Sequence, residues 1–421
     1  MRRPRRAAWV ALAACLAGAV HAGAAPADER ASTRDLFEVG GEVEVAYQRQ
    51  QEFDLDRGEP DDLDLLPVEI KLEILFAPND FVEAFLQTTL FHAFTLRDQG
   101  EDDVDPTDLF VEEAYLILRE PGLGLALQVG RQSFEDPRQW LYDAELDAVR
   151  ARYRTQGLAL ELAASREALL DSDLLDPNEV ESANNYIFHA AYELSGDVSL
   201  GAYAIVRDGA ASDRPIFLGV QSVGTIGERL SYWLDAAQVR GQEDDSDLRG
   251  YGIDLLGAYH FDAPLAPHLI LGYAFGSGDA DPDDDRDDAF RQTGLQGNET
   301  EVGGLTPFRY YGEAFDPELS NLSIFTVGIG TRPTAALSAD LVYHYYLQDH
   351  AADELCDSAL DAEPTGGSKR LGSEIDLVLG FGGEEDDFRI RGFLGYFMPG
   401  RAFADGADGA LFARIETQYE F

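Results

Sequence analysis

The chain has 421 residues, 79 of them acidic and 32 basic, and its net charge is −47 at pH 7. So negative a chain is excluded as a nucleic-acid binder, because contacts with phosphates need a basic surface. Its two cysteines, one of them within the first twenty residues, exclude an internal disulfide framework, and no Cys/His cluster has zinc-ligand spacing.

The N-terminus has the parts of a secretory signal peptide. Arg2, Arg3, Arg5 and Arg6 form a basic region, and the apolar stretch 7–20 that follows is too short to cross a bilayer as a helix. Small residues allow cleavage after position 22 or after position 27, and residues 12–15 (LAAC) also fit a lipoprotein box. We expect residues 1–27 to be a signal peptide and residues 28–421 to be one domain. Without residues 1–27, 28 basic residues face 79 acidic ones, a net charge of −51.

From Phe37 onward, polar and apolar residues alternate in one segment after another. Alternation with a period of two predicts strands that have one apolar face and one polar face. Most segments have the length that a tilted strand needs to cross the hydrocarbon of a membrane. About eighteen strands are predicted, at 37–49, 65–76, 81–92, 109–119, 123–131, 145–154, 157–165, 184–195, 197–206, 215–225, 228–240, 250–261, 266–275, 320–331, 334–347, 370–382, 386–398 and 410–421.

The connections between these segments alternate between short and long. Residues 77–80 make a short link, for example, whereas 276–319 is a very long one. Outer-membrane barrels alternate in this way between periplasmic turns and extracellular loops, and a soluble sandwich gives no reason for it. The last strand ends the chain on Phe421 with an apolar face and a charged face. The sequence therefore predicts an all-β fold, a transmembrane antiparallel β-barrel of about 18 strands in the bacterial outer membrane.

The long connections hold runs of acidic residues. The densest lies at 279–288 and includes Asp281, Asp283, Asp285 and Asp287. Carboxylate oxygens are the ligands that Ca²⁺ prefers, so a loop-bound calcium ion or a divalent bridge to lipopolysaccharide is one interpretation. A solvated loop is the other, since the run lacks the Gly and Glu placement of an EF-hand. We expect no further cofactor.

Where the apolar face meets lipid, the residues of opposite parity face the lumen. Arg150, Arg152 and Arg154 then point inward together, and Lys71, Arg119, Arg389 and Arg391 share that parity. Acidic residues on the same face are Glu42, Glu44, Glu69, Glu73, Asp254, Asp340, Glu374 and Asp376. Paired basic and acidic rows can brace a lumen, and rings of Arg or Lys favour anions. The pattern alone supports both interpretations.

Three segments resemble the alginate export family of outer-membrane proteins. They are 130–150 (GRQSFEDPRQWLYDAELDAVR), 290–296 (FRQTGLQ) and 310–322 (YYGEAFDPELSNL). The resemblance implies an eighteen-stranded monomeric barrel that passes an anionic exopolysaccharide, alginate in the best-known case, through an arginine-lined constriction. Within or beside the matching motifs, it implies these path residues: Arg131, Arg138, Arg150, Arg152, Arg291 and Arg309.

The chemistry of that substrate agrees with the residue type. A uronate polymer presents one carboxylate per sugar, and guanidinium groups bind carboxylates in bidentate fashion while staying charged at any working pH. The connection 276–319 is too long for a simple hairpin. We predict that it folds into the barrel, narrows the pore and brings Arg291 toward Arg150; the alternative is an extracellular lid.

The leading interpretation is a passive export channel for an anionic, alginate-like exopolysaccharide. The alternative is an outer-membrane porin for small anionic or sugar solutes. No enzymatic activity is expected, because His260 and His344 fall on the lumen side and no serine motif is placed to use them. Expected partners are the polysaccharide, outer-membrane lipid and lipopolysaccharide, with a periplasmic export protein as a further possibility, and no nucleic acid.

Overall fold

The computed structural model describes residues 36–58, 61–99, 106–167, 174, 183–195, 198–209, 214–243, 246–282, 284–382 and 386–421. The predicted signal peptide, residues 1–27, lies outside the described residues, so its cleavage stays a prediction.

The alternating segments form long strands, because successive side chains of an extended backbone point to opposite faces. In chain order the strands are β1 Phe37–Gln51, β2 Leu63–Asn79, β3 Val82–Asp98, β4 Thr107–Glu120, β5 Leu125–Glu135, β6 Asp143–Thr155, β7 Leu158–Arg166, β8 Asn184–Ser195, β9 Val198–Asp208, β10 Arg214–Ile226, β11 Leu230–Glu243, β12 Ser246–Leu248, β13 Tyr251–His260, β14 Pro267–Gly276, β15 Arg286–Asp287, β16 Glu299–Thr300, β17 Phe308–Arg309, β18 Leu322–Thr334, β19 Leu337–Gln348, β20 Arg370–Phe381, β21 Phe388–Pro399 and β22 Ala410–Glu420.

Eighteen of these strands form one closed antiparallel barrel. The other four, β12 and β15 to β17, are short strands within long connections. β1 pairs with β22, with Glu42 opposite Glu420, and this pairing closes the sheet. Closure leaves no unpaired edge in the lipid, which is the condition for a sheet to span a membrane. The predicted barrel of about eighteen strands is confirmed, and each predicted segment corresponds to one wall strand.

The two faces of the wall differ in chemistry. On β22, Ile415 and Tyr419 are exposed on the outer face, whereas Glu416 and Gln418 are buried on the lumen face. Large apolar side chains are exposed in the same way on most other wall strands, as expected for a surface that meets lipid. No helix in the described part of the chain is long and apolar enough to cross a membrane.

The connections alternate in length, as predicted. β18 and β19 are joined by residues 335–336, at the end that a periplasmic turn occupies, whereas β14 and β18 are joined by residues 277–321 at the other end. Both chain ends of the wall, the start of β1 and the end of β22, lie at the short-turn side.

One hairpin leaves the wall and enters the lumen. β4 and β5 pair only as far as Ala114 and Arg131, and β6 and β7 pair only from Asp147 downward. Beyond these points, within the described strands, β5 and β6 pair only with each other, up to Glu135 opposite Asp143. The buried residues at the tip of this segment, which we call the inner hairpin (residues 132–146), lie among lumen-facing side chains.

The connection 277–321, which we call the plug, folds into the barrel. Near its deepest point the backbone N–H of Leu305 donates to Ser338 Oγ at 3.0 Å. Ser338 is the second residue of β19, directly after a short turn, so the plug spans most of the barrel's height. Gly304 is required there, since a Cβ atom would lie 2.3 Å from Asp340 Oδ2. The prediction that this connection enters the barrel is confirmed, and the alternative of an extracellular lid was wrong.

Candidate substrate path through the barrel

The three sequence motifs meet in the interior. Trp140 of the inner hairpin donates its indole N–H to the Tyr311 hydroxyl of the plug at 2.9 Å. Gln292 Nε2 donates to the Trp140 carbonyl at 2.8 Å, and the Gln292 backbone N–H donates to Glu318 Oε1 at 2.6 Å. Trp140 and Phe290 stack with their ring centroids 6.0 Å apart. The motifs therefore build one packed unit from the inner hairpin and the plug.

Arg138 is sealed inside this unit. Its guanidinium group binds Asp254 of β13 in bidentate fashion, at 2.8 and 3.1 Å, and lies 4.2 Å from the centre of the Tyr310 ring. Only 2% of the side chain is exposed. A bidentate, desolvated pair of this kind fixes the position of the hairpin tip.

Arg150 is held in a similar way on the wall. It pairs with Glu161 of β7 at 2.7 Å, donates to the Ser133 carbonyl at 3.1 Å and lies 4.5 Å from the centre of the Phe134 ring. Its side chain is 4% exposed. Arg150 lies on the lumen face, as its parity predicts, and there it is covered by the inner hairpin.

Arg291 lies near the outer end of β11, where it pairs with Glu243 and Asp287. Among the described residues it shares no ion-pair partner with Arg150, so a meeting of these two arginines stays a prediction. The Asp287 carboxylate also accepts the Ala289 backbone N–H at 2.8 Å. Asp283 lies outside the described residues, and those described contain no group of three side chains arranged for a metal ion. Calcium binding at 281–287 stays a prediction.

Arg131 and Arg152 are half-buried on β5 and β6. Arg131 lies 3.8 Å from Asp147. Arg152 donates to Gln128 Oε1, and in the described part of the chain it makes no direct ion pair. Arg152 therefore keeps more capacity for an added anion than Arg138 or Arg150.

A row of cations follows β22 down the lumen. Arg309 of the plug lies 5.8 Å from the centre of the Phe412 ring, and Arg414 is two residues further along β22. Arg391 and Arg389 of β21 stand opposite Glu416 and Gln418. Lys71 lies at the level of Glu420, because Glu42 of β1 pairs with both. One cation thus occurs at every second residue of β22, in steps of about 7 Å. We call Arg309, Arg414, Arg391, Arg389 and Lys71 the cationic row.

Each member of the cationic row has a carboxylate beside it. Arg414 pairs with Glu44 at 2.8 Å and with Glu416 at 2.7 Å, and Arg391 pairs with Glu416 at 3.0 Å. Arg309 pairs with Asp316 at 3.2 Å. Unlike Arg138, these cations retain exposure; 29% of the Arg414 side chain and 23% of the Arg391 side chain are exposed.

Sequence parity had placed Arg389 and Arg391 on the lumen face and Arg414 on the charged face of the last strand. It did not single out Arg414 as a path residue. The sequence feature that could have identified Arg414 is the pairing of the last two strands. Because these strands are antiparallel neighbours, positions 389–391 and 414–418 lie side by side.

The plug is anchored to β19 by a buried tyrosine and to β20 by a buried acid. Glu374 accepts the backbone N–H groups of Ala314 at 2.6 Å and Phe315 at 3.0 Å. The Tyr346 hydroxyl donates to the Tyr311 carbonyl at 2.7 Å. Burial raises the pKa of the nearby Glu313 carboxyl to about 8, and the guanidinium group of Arg309 offsets part of this rise.

Comparisons with known proteins agree with this architecture. A family model described as alginate export matches residues 35–414. The alginate production protein AlgE of Pseudomonas aeruginosa is 25% identical over 366 residues, which cover 71% of this chain and 73% of that protein. AlgE of Azotobacter vinelandii is 29% identical over 190 residues, which cover 40% of this chain and 38% of that protein, well under two thirds of its length.

Solved structures share the fold at low identity. Pseudomonas aeruginosa OccK5 (OpdH) superposes with a TM-score of 0.59 at 12% identity, over 91% of this chain and 98% of that one. OpdK of the same organism, solved with vanillate, gives 0.59 at 14% identity, over 91% and 98%. Given the closed barrel, its apolar outer face and the match over residues 35–414, the chain is a protein of the bacterial outer membrane and belongs to the alginate export family.

Proposed function

We propose that the protein is an outer-membrane channel that exports an anionic polysaccharide of the alginate type, passively, along the cationic row. The observation that carries the proposal is the regular spacing of Arg309, Arg414, Arg391, Arg389 and Lys71 down one side of the lumen. The family match and the names of the relatives support the same substrate class.

The pairing of the row explains how a polyanion could move without being trapped. A carboxylate of the polymer exchanges with a resident carboxylate such as Glu44 or Glu416, so each cation trades one ion pair for another. The net gain at each step is then small, and conduction needs sites that are weak and multiple. No energy source or catalytic step enters this scheme.

The six arginines implied by the resemblance take different parts in the proposal. Arg309 belongs to the cationic row. Arg131 and Arg152 contact the polymer from the wall at β5 and β6, because they keep exposure or free donors. Arg138, Arg150 and Arg291 support the path indirectly, by holding the inner hairpin and the plug in place.

The alternative function, a porin for small anionic or sugar solutes, is favoured by one observation. The plug and the inner hairpin pack against lumen-facing side chains of many wall strands, so the remaining passage is only a part of the barrel's cross-section. Because the wall closes within one chain, we propose that a monomer forms the channel. Contacts with lipopolysaccharide and with a periplasmic export protein stay predictions.

Single-channel recording in planar bilayers tests the proposal. The reversal potential in a salt gradient gives the anion preference, and added oligo-uronates of increasing length give block. We expect block that strengthens with oligomer length and weakens at least about tenfold in the double variant Arg391→Gln, Arg414→Gln.

Arg214→Gln is the matched control, because it removes an exposed cation that pairs with Asp208 outside the lumen. Its block should equal that of the wild type. A wild-type pore that oligo-uronates do not block, but that conducts monomeric uronate, would favour the small-solute porin. A cation-selective pore indifferent to both would refute the anionic path.

A further inference from the structure

One acidic residue of the plug, Glu299, lies beside Arg309, the first member of the cationic row. Glu299 and Arg309 stand opposite each other in the short pairing of β16 with β17, next to Thr300 opposite Phe308. Thr300 Oγ1 donates to the Pro137 carbonyl of the inner hairpin at 3.2 Å, and Phe308 is buried. Because neighbouring residues of a strand point to opposite faces, Glu299 and Arg309 project from the face opposite to Thr300 and Phe308. The Glu299 charge also acts on Asp143 of the inner hairpin.

That opposite face looks toward β22. The Arg309 guanidinium carbon lies 5.8 Å from the centre of the Phe412 ring, and directly opposed residues have Cβ atoms about 5 Å apart. The Glu299 carboxylate therefore lies on the row's side of the plug. Its charge interacts with Arg309 and also with Arg391 and Arg414 of the wall.

Glu299 differs from the wall acids in how it meets these cations. Glu44 and Glu416 each form a direct ion pair with Arg414. Among the described residues Glu299 forms no direct ion pair, although three guanidinium groups act on it. Burial raises the pKa of Glu299, Glu416 adds to the rise, and those guanidinium groups offset part of it.

We infer that Glu299 is a specificity-determining residue: the plug carries its carboxylate to the place beside Arg309, Arg391 and Arg414 that a substrate carboxylate would take, so that it competes with anions entering the row. This inference rests on the proposed function for the identity of the polymer. The electrostatic effect of Glu299 does not depend on the polymer: its charge lowers the preference of the pore for any anion near Arg309, the first member of the cationic row.

The first measurement is the reversal potential of Glu299→Gln in a potassium chloride gradient. Removing a negative charge that interacts with three guanidinium groups should move the potential toward anion selectivity. In the second measurement, the oligo-uronate concentration for half-block should fall by about fivefold, since the competing carboxylate is gone. Glu299→Asp, which keeps the charge, should behave like the wild type in both.

Glu354→Gln is the matched control, because it removes an exposed acid of an outer loop, and we expect no change in either measurement. An unchanged reversal potential in Glu299→Gln would overturn the inference. A second outcome would also overturn it. If Glu299→Gln and Glu299→Asp both raised the conductance equally and both lowered the unfolding midpoint, Glu299 would be a residue that anchors the plug. Failure of oligo-uronates to block the wild type would count against the proposed function only, since the chloride measurement decides the role of Glu299 alone.

Discussion

The two sides of the lumen use arginine for opposite purposes. On the side filled by the plug and the inner hairpin, Arg138 and Arg150 are desolvated, bound to one acid each and packed against aromatic rings. On the side of β21 and β22, Arg414 and Arg391 also pair with acids, but about a quarter of each side chain stays exposed. The ion pairs look alike, whereas the access of solvent differs.

Access of solvent decides what each arginine can do. Breaking a buried pair leaves an uncompensated charge and costs about 3–5 kcal/mol, whereas an exposed pair contributes about 0–1 kcal/mol. A sealed arginine is therefore a structural clamp, and an exposed one can change partners at little cost.

The largest effect is expected from Arg138→Met. It leaves Asp254 buried without its cation and with the Tyr311 hydroxyl still donating to it, so the unit of plug and hairpin should lose about 3–5 kcal/mol. Urea unfolding in lipid vesicles, followed by tryptophan fluorescence, measures the loss, and conductance should rise with added noise. Arg414→Met is the control on the other side and should cost about 0–1 kcal/mol. Equal costs for the two variants would remove the distinction between the sides.

Gly304→Ala should displace the tip of the plug. A Cβ atom there would lie 2.3 Å from Asp340 Oδ2 and 3.2 Å from Ser338 Oγ, and overpacking of this kind costs about 1–3 kcal/mol. We expect larger conductance with little change in anion preference, because the cationic row is untouched. Gly367→Ala, whose nearest neighbour would be Thr365 Oγ1 at 3.5 Å, is the control. Unchanged conductance in Gly304→Ala would mean that the tip does not limit the passage.

Arg152→Gln and Arg150→Gln, two residues apart on β6, separate the two roles within one strand. Among the described residues Arg152 donates only to Gln128, so its loss should weaken oligo-uronate block by about threefold to tenfold and leave stability nearly unchanged. Arg150 is bound to Glu161, so its loss should lower the unfolding midpoint more than it changes block. The reverse pattern would exchange their roles.

The smallest effect concerns pH. The pKa of Glu313 is raised to about 8 from 4.5, so the folded state binds this proton more tightly than the unfolded chain does. Its contribution to stability is complete below 4.5 and is lost as pH rises through about 8. The plug should therefore be held more firmly at about pH 6 than at about pH 9, with more frequent openings at the higher pH.

Glu313→Gln mimics the protonated carboxyl and should flatten this dependence between the two pH values. Current noise and urea midpoints at both pH values measure it. If Glu313→Gln kept the full pH dependence of the current noise and of the urea midpoint, other titratable groups would be responsible for it.

Parity in the sequence was enough to predict the barrel and to place Arg150 and Arg152 in the lumen, because a strand's period of two is a local property. It could not distinguish them, because their partners depend on the neighbouring strands. The register sets Gln128 opposite Arg150 and Glu161 opposite Arg152, whereas the side chains bind diagonally, Arg150 to Glu161 and Arg152 to Gln128. The partner of Arg138 could not be predicted from local sequence at all, since Asp254 is 116 residues away.

The motifs that carry the family resemblance predicted the family but not most of the residues of the cationic row. They identified the family, yet most of their side chains, such as Trp140, Gln292 and Tyr311, build the packed unit in the lumen. The cationic row lies mainly on β21 and β22, outside those motifs, and depends on how strands from both ends of the chain pair with one another.

The anchoring of the plug also constrains how the molecule assembles. Tyr311 binds Trp140, which lies 171 residues earlier, and Ala314 binds Glu374, which lies 60 residues later. The plug can therefore be seated only after β20 has joined the sheet, when most of the wall is already in place. Contacts so distant in sequence form late and slowly during folding. A newly inserted barrel should accordingly pass through a wide, unfilled state before the lumen narrows.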